Sequence, residues 1–163
     1  MICAVVLAAG AATRYGAPKQ VEFLPRVLAA VDASSVEDVI VVAGAYELVL
    51  QRHKVVECPE WERGPGASLR CGLDALPDET EAAVVVLADG PDLSPSAIDR
   101  VVATWRDTGA RVVAASYGGD RGHPVLLARS AWPAVPDEGA RALDPVLVPC
   151  DDLGPPGDVD FRR

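Results

Sequence analysis

The segment Leu7-Ala8-Ala9-Gly10-Ala11-Ala12-Thr13-Arg14-Tyr15-Gly16-Ala17-Pro18-Lys19-Gln20 carries the first residues able to do chemistry. Its small side chains let backbone N–H groups approach a ligand, and it then supplies a guanidinium and an ammonium. Amides forming a nest, Arg14 engaging a pair of oxygens and Lys19 adding a point charge suit a triphosphate. The same residues also fit a small-residue turn with two incidental surface cations. Two other phosphate loops are excluded by spacing. There is no G-x-x-x-x-G-K-[ST]. Nor is there a G-x-G-x-x-G, or an acid after Val42-Ala43-Gly44-Ala45 to hold a ribose, so a nicotinamide dehydrogenase is disfavoured.

The second set is acidic. Asp89-Gly90-Pro91-Asp92 follows an apolar run at 83–88, and a carboxylate at the carboxyl end of a buried strand sits at a sheet's ligand edge. Asp89 is a candidate ligand for Mg2+, a hard ion that takes one or two protein carboxylates and completes its shell with water and phosphate. A D-G turn ending a strand is the alternative reading, and Asp92 reads as turn or capping chemistry. Asp158-Val159-Asp160 offers further acids, which a strand period of two would put on one face. The alternative there is a solvated acidic tail. Gly122-His123 precedes Pro124-Val125, and no G-x-S-x-G elbow supports a serine-hydrolase triad.

These residues need a scaffold that brings them together. Short, valine-rich apolar runs at 2–7, 39–43, 55–57, 83–87, 111–116, 124–127 and 146–148 read as strands. Helical segments lie around 22–33, 67–76 and 96–108, the last opened by Ser94 as N-cap and Pro95 at the first helical position. Residues 117–122 read as a hairpin or extended loop. Alternation of two-sided strands with helices implies an α/β fold, a three-layer α/β/α sandwich with a mostly parallel sheet, in one domain over 1–163.

The segment L-A-A-G-x-x-x-R-x-G-x-x-K at 7–19 resembles the signature loop of nucleotidyltransferases built on a glycosyltransferase-A-like sheet. It is most similar to the MobA-like family of molybdenum cofactor cytidylyltransferases and guanylyltransferases. The resemblance implies a nucleotide-binding loop of Leu7, Ala8, Ala9 and Gly10, with Gly10, Arg14 and Lys19 on the triphosphate. Residues 61–73 resemble the family's W-x-x-G-x-x-x-S-L-R-x-G-L, which adds Ser68 and Arg70 as nucleotide contacts and free N–H groups at a helix start. Ser68 as a cap and Arg70 as a surface or core-bridging charge remain the alternatives. Residues 87–91 match L-A-D-x-P, where the aspartate binds the metal. Asp158 and Asp160 resemble the paired acids of D-I-D-T-P-x-D, with Asp160 as ligand and Asp158 as helper. The G-H-P-V-L match at 122–126 implies that Gly122 and His123 bind the acceptor.

By resemblance, then, the activity is Mg2+-dependent transfer of a nucleotidyl group, CMP from CTP favoured, to a phosphorylated acceptor such as molybdopterin, with release of pyrophosphate. Arg14, Lys19 and Asp89 would carry the catalysis. Gly90, Phe161 and the lack of a helix after it depart from the family pattern. They leave open a sugar or polyol phosphate as acceptor, or a degenerate nucleotide-binding domain without catalysis.

Composition bounds the rest. The 163 residues are half apolar and 24% charged, a globular composition. A formal charge of -9 argues against a nucleic-acid partner, and no apolar run approaches the roughly 20 residues that cross a bilayer. The amino terminus does not read as a secretory signal, so the expected location is the cytoplasm. Cys3, Cys58, Cys71 and Cys150 show no metal-finger spacing and read as reduced thiols.

Overall fold

Residues 2–8 are apolar at every position, and the protein buries them on both sides in the interior of a sheet. The computed structural model describes the backbone of residues 1–10, 13–14 and 17–157 and the side chains of 1–10 and 22–157. In chain order the elements are β1 (Ile2–Ala8), β2 (Thr13–Arg14), β3 (Ala17–Pro18), α1 (Lys19–Asp32), β4 (Asp38–Ala43) and β5 (Lys54–Glu57). They continue with a 3-10 turn (Trp61–Arg63), α2 (Pro65–Asp74), β6 (Ala82–Leu87), α3 (Pro95–Thr108), β7 (Val112–Tyr117), β8 (Asp120–Ala128), two 3-10 segments and β9 (Val146–Pro149).

The main sheet has the order β5-β4-β1-β6-β8-β7-β9, and β2 and β3 form a separate two-stranded ribbon. The pairs β5–β4, β4–β1, β1–β6 and β7–β9 are parallel, while β8 runs antiparallel to both β6 and β7. Alternate residues of β1 feed different cores. Ile2, Ala4, Val6 and Ala8 join Leu24, Val27, Ile98 and Val101 under α1 and α3. Cys3 and Val5 join Leu69 and Leu73 under α2. Two apolar faces on one strand are what a three-layer α/β/α sandwich requires, and the expected fold class holds.

The helix starts refine the expectations. α1 begins at Lys19, three residues ahead of the expected position, so the second loop cation belongs to a helix and not to a loop. α2 begins at Pro65, because a proline at the first helical position gives up only an N–H that would lack an intrahelical partner. It then lies close against the sheet. A Cβ at Gly72 would stand 2.6 Å from Val5 Cγ1 and 2.8 Å from Val42 Cγ2, so only glycine lets the helix approach β1 and β4 this closely. α3 keeps its Ser94 cap, whose side chain accepts from the Ser96 N–H at 3.2 Å. The loop after β7 is a two-residue turn, Gly118-Gly119, with φ values of +61° and +86°.

One expectation is overturned. Cys58, just after β5, and Cys71, on α2, form a disulfide with their Cα atoms 5.9 Å apart, so these two are not reduced thiols. The chain turns back on itself between β5 and α2, which brings residues 13 apart in sequence within bridging distance. Cys3 and Cys150 are free and buried, and burial raises both thiol pKa values. Among the described residues no helix is long and apolar enough to cross a membrane.

Candidate active site at the carboxyl edge of the sheet

The parallel strands β1, β4, β5 and β6 all end at one edge. Leu7 pairs with Leu87 in the β1–β6 ladder, so continuing the register sets Ala9 level with Asp89. The Ala88 N–H donates to Leu7 O at 3.0 Å and the Ala45 N–H to Ala9 O at 3.0 Å, which ties the three strand ends together. A cavity of about 320 Å³ opens between these ends and α2. Its floor is Leu7, Ala9, Gly10, Leu87 and Asp89; Trp61, Glu62, Gly64, Pro65 and Ser68 close the other side.

Trp61 is held there by a close approach. A Cβ at Gly44 would lie 2.6 Å from Trp61 Cβ and 2.8 Å from Ala9 O, so glycine after β4 lets the indole seat beside the first loop. Ser68 is 4% exposed, and among the described residues nothing pairs with its hydroxyl. A buried hydroxyl lining a cavity without a protein partner is a group waiting for a ligand atom or water. Asp89 has partners of its own in the folded chain. Among the described lining residues the charged groups are the two carboxylates Glu62 and Asp89.

The expected site residues divide into four groups. Leu7, Ala9, Gly10, Ser68 and Asp89 come together in the cavity, whereas Ala8 is buried in the core beneath it. Arg70 turns away. Its guanidinium donates to Val135 O at 2.8 Å and to the Asp137 carboxylate, and so joins α2 to the segment after β8. That carboxylate is held below its usual range by Arg70, with Arg63 adding to the effect. The expected free amides at the start of α2 are also absent. Pro65 has no N–H, Gly66 N donates to Asp137 O at 2.9 Å, and Ala67 N and Ser68 N donate to Gly64 O. The third group is not described. The side chains of Arg14 and Lys19, and all of Asp158 and Asp160, lie outside the described residues. The last described residues pack on the loop after β6, where Asp92 N donates to Pro156 O at 2.8 Å. Gly157 sits directly against Asp92, and a Cβ there would be 2.8 Å from Asp92 Oδ2. Asp92 also accepts from Arg26 at 3.1 Å.

Gly122 and His123 reach the same edge from β8. The β6–β8 ladder runs as far as Val85 with Val125, and continuing the count puts His123 level with Leu87. Neither residue lines the cavity of about 320 Å³. The Tyr117 hydroxyl donates to His123 O at 2.7 Å, and burial pushes that phenol up to about 12, so it stays a donor. Burial, with Arg121 nearby, pushes the His123 imidazole down to about 4. At neutral pH it therefore offers a single N–H and no positive charge, so it could meet an acceptor phosphate only as a hydrogen-bond donor.

Sequence reasoning singled out neither Trp61 nor Glu62 as site residues. The available signal was a tryptophan in a charged, glycine-rich stretch with no apolar neighbours to give it a place in the core.

The profile of the MobA-like NTP transferase domain matches residues 4–147. No curated protein matches the chain significantly. Among solved structures the chain is similar to Rv0371c from Mycobacterium tuberculosis H37Rv, with a TM-score of 0.80 and 24% identity over 98% of this chain and 92% of that one. The manganese complex of Rv0371c gives a TM-score of 0.71 and 20% identity, over 98% of this chain and 93% of that one. The 4-diphosphocytidyl-2C-methyl-D-erythritol synthase from Anaerococcus prevotii DSM 20548 gives a TM-score of 0.67 and 14% identity, over 91% and 86%. These likenesses confirm the fold. A first strand running into L-A-A-G, an aspartate at the end of β6 and a profile match over most of the chain place this protein in the MobA-like NTP transferase domain family of nucleotidyltransferases.

Proposed function

We propose that the protein transfers CMP from CTP to a phosphorylated small molecule such as molybdopterin, with Mg2+ as cofactor and pyrophosphate as leaving group. The observation that carries this reading is the cavity itself, with Asp89 at one wall and at the other the buried Ser68 hydroxyl, which has no partner among the described residues. A cavity of about 320 Å³ falls in the small-ligand range. The donor set fits a hard divalent cation: two carboxylates, Asp89 and Glu62, face the space an anionic ligand would fill. Asp89 would hold the ion, with Asp160 and Asp158 completing its protein ligands. Bound there, the metal would neutralise charge building on the phosphates.

The chain's own residues have three tasks. Ala9 and Gly10 present backbone to the phosphates, and Arg14 from β2 and Lys19 from the start of α1 neutralise them. The Trp61 indole forms an apolar wall that keeps water from one side of the reacting group, and Ser68 hydrogen-bonds the nucleotide. Gly122 and His123 hold the acceptor at the neighbouring strand. An acceptor phosphate oxygen attacks the α-phosphorus, the bond to the β-phosphate oxygen breaks, and pyrophosphate leaves. The acceptor is already ionised, so no general base is needed, and in-line alignment is the protein's main contribution. Nucleoside triphosphates as donors fit a cytoplasmic enzyme.

The likeness to the manganese complex of Rv0371c supports divalent-metal dependence, and the likeness to the diphosphocytidyl-methylerythritol synthase supports a cytidylyl donor. The latter also favours a second acceptor, a polyol phosphate. Pyrophosphate release measured with CTP, GTP and ATP against molybdopterin and against sugar and polyol phosphates separates these readings. We expect release with CTP and molybdopterin that Asp89→Ala abolishes. Release only with a polyol phosphate would transfer the assignment to the second acceptor. No release from any pair would overturn the reading.

A further inference from the structure

The Cys58–Cys71 bond closes a ring that contains Trp61, Glu62, Gly64, Pro65 and Ser68, the whole α2-side wall of the nucleotide cavity. The two sulfurs differ in access. Cys58 is 1% exposed, whereas Cys71 is half-buried and lines a second cavity of about 430 Å³ on the outer side of α2. That cavity brings together Glu60, Arg70, Asp74, Arg129 and Trp132 around Cys71, with the Arg129 guanidinium 4.7 Å from the centre of the Trp132 ring. The Arg70 guanidinium donates to Val135 O and Asp137 and that of Arg129 to Asp78 O and Thr80 O; with the acids Glu60 and Asp74 they give the rim of the cavity charges of both signs. A small peptide thiol carries both signs as well, and attack on a disulfide is governed by access to one sulfur.

We propose that Cys71 is a thiol–disulfide exchange site, at which a small peptide thiol opens the Cys58–Cys71 ring and loosens the wall of the nucleotide cavity. The second half rests on the nucleotide reading above. The incoming thiolate attacks Cys71 Sγ, the sulfur–sulfur bond breaks, and its electron pair leaves on Cys58 Sγ, which takes up a proton. The Cys58 sulfur lies 3.6 Å from Ala67 O, which can accept from the released thiol. A second thiol attacks the mixed disulfide, regenerating the Cys71 thiolate and releasing the oxidised peptide dimer. Two thiols are oxidised and one protein disulfide is reduced.

Opening the ring does not release α2. Gly66 N on Asp137 O, and Arg70 on Val135 O and Asp137, still hold it to the segment after β8. What is lost is the covalent tie between the end of β5 and the helix, on the side where Trp61 stands. Immobilising one or two such side chains upon binding, and not beforehand, weakens binding roughly tenfold.

The test uses the full chain purified without reductant and incubated with reduced glutathione, with dithiothreitol as a neutral thiol. In Cys58→Ser, oxidised glutathione should form one adduct, on Cys71; in Cys71→Ser, the sealed Cys58 should form none. Reduction of the wild type should speed amide hydrogen exchange across 61–68 and weaken binding of Mg2+–CTP roughly tenfold. The Cys58→Ser/Cys71→Ser double variant should ignore glutathione. Should the serine variants fail to fold, the order in which the two cysteines become alkylated during reduction of the wild type gives the same answer, with Cys71 expected to carry the first glutathione. An adduct confined to Cys58, or exchange and nucleotide binding unchanged between oxidised and reduced protein, would overturn the proposal. If no triphosphate binds in either state, the nucleotide reading fails, while the adduct and the amide exchange still decide the exchange site.

Discussion

The two halves of the sheet bring chemistry to the same edge in opposite ways. In the half made of β5, β4, β1 and β6 every strand is parallel, and each one stops at the edge. Turn residues therefore build the cavity there: Gly10 after β1, Trp61 after β5 and Asp89 after β6 line it, and Gly44 after β4 packs against Trp61. In the half made of β8, β7 and β9, the antiparallel β8 enters at that edge and continues inward. Its candidate, His123, is a mid-strand residue of β8 beside the register shift between β8 and β7. Stopping at the edge leaves a side chain facing the cavity. Passing through it leaves a side chain desolvated, and for that reason, with Arg121 adding to it, His123 resists protonation down to about pH 4.

This contrast can be broken most sharply at Asp89. Asp89→Ala should lower the rate of pyrophosphate release by on the order of 10²–10³-fold, because under the proposed function Asp89 is the parallel half's charge-stabilising group. Protein stability, read from urea unfolding, should change far less.

The opposite behaviour is expected at His123, where the effect should appear in stability. The folded imidazole titrates at about 4 and the unfolded one at about 6.5, so between those values the unfolded state binds more protons. Stability from this residue is complete above 6.5 and is lost as pH falls towards 4, by on the order of 3 kcal/mol. Urea midpoints measured from pH 7 to pH 4 should fall in the wild type and flatten in His123→Gln. Asp137 and Asp152, held low by their arginine partners, act below that window.

A smaller effect tests how α2 reaches the cavity. Gly72→Ala puts a methyl into Val5 and Val42, so overpacking should cost roughly 1–3 kcal/mol in urea unfolding. Activity should fall as well, because the helix that carries Ser68 must shift outwards. The smallest change is expected for Ser68→Ala. Under the proposed function this removes one neutral hydrogen bond to the nucleotide and should raise KM for the triphosphate by roughly 2- to 10-fold, with kcat nearly kept.

The parts of the site legible in the sequence are those where local chemistry and position coincide. Asp89 was legible because a carboxylate directly after a valine run must sit at a strand end. Leu7, Ala9 and Gly10 were legible because small residues after a first strand form a turn. Arg70 was misleading. Its place in a family-like segment implied a nucleotide contact, but α2 rotates it towards Val135 and Asp137, which come from a segment some 65 residues later in the chain. Trp61 was missed for a related reason: its packing partner is the backbone around Gly44, on a different strand.

The sequence by itself determined the elements and the class of fold. Periodicity, caps and turn residues act over a few positions, and two-sided apolar strands alternating with helices leave few other arrangements. It also determined that Asp89 and the first loop would share an edge, since both follow parallel strands. Only the tertiary structure decided that Cys58 and Cys71 are joined, that the amides of α2 are already taken and that His123 is neutral. Each of these depends on distance and desolvation between segments far apart in the chain, and those quantities exist only once the sheet has been assembled around them.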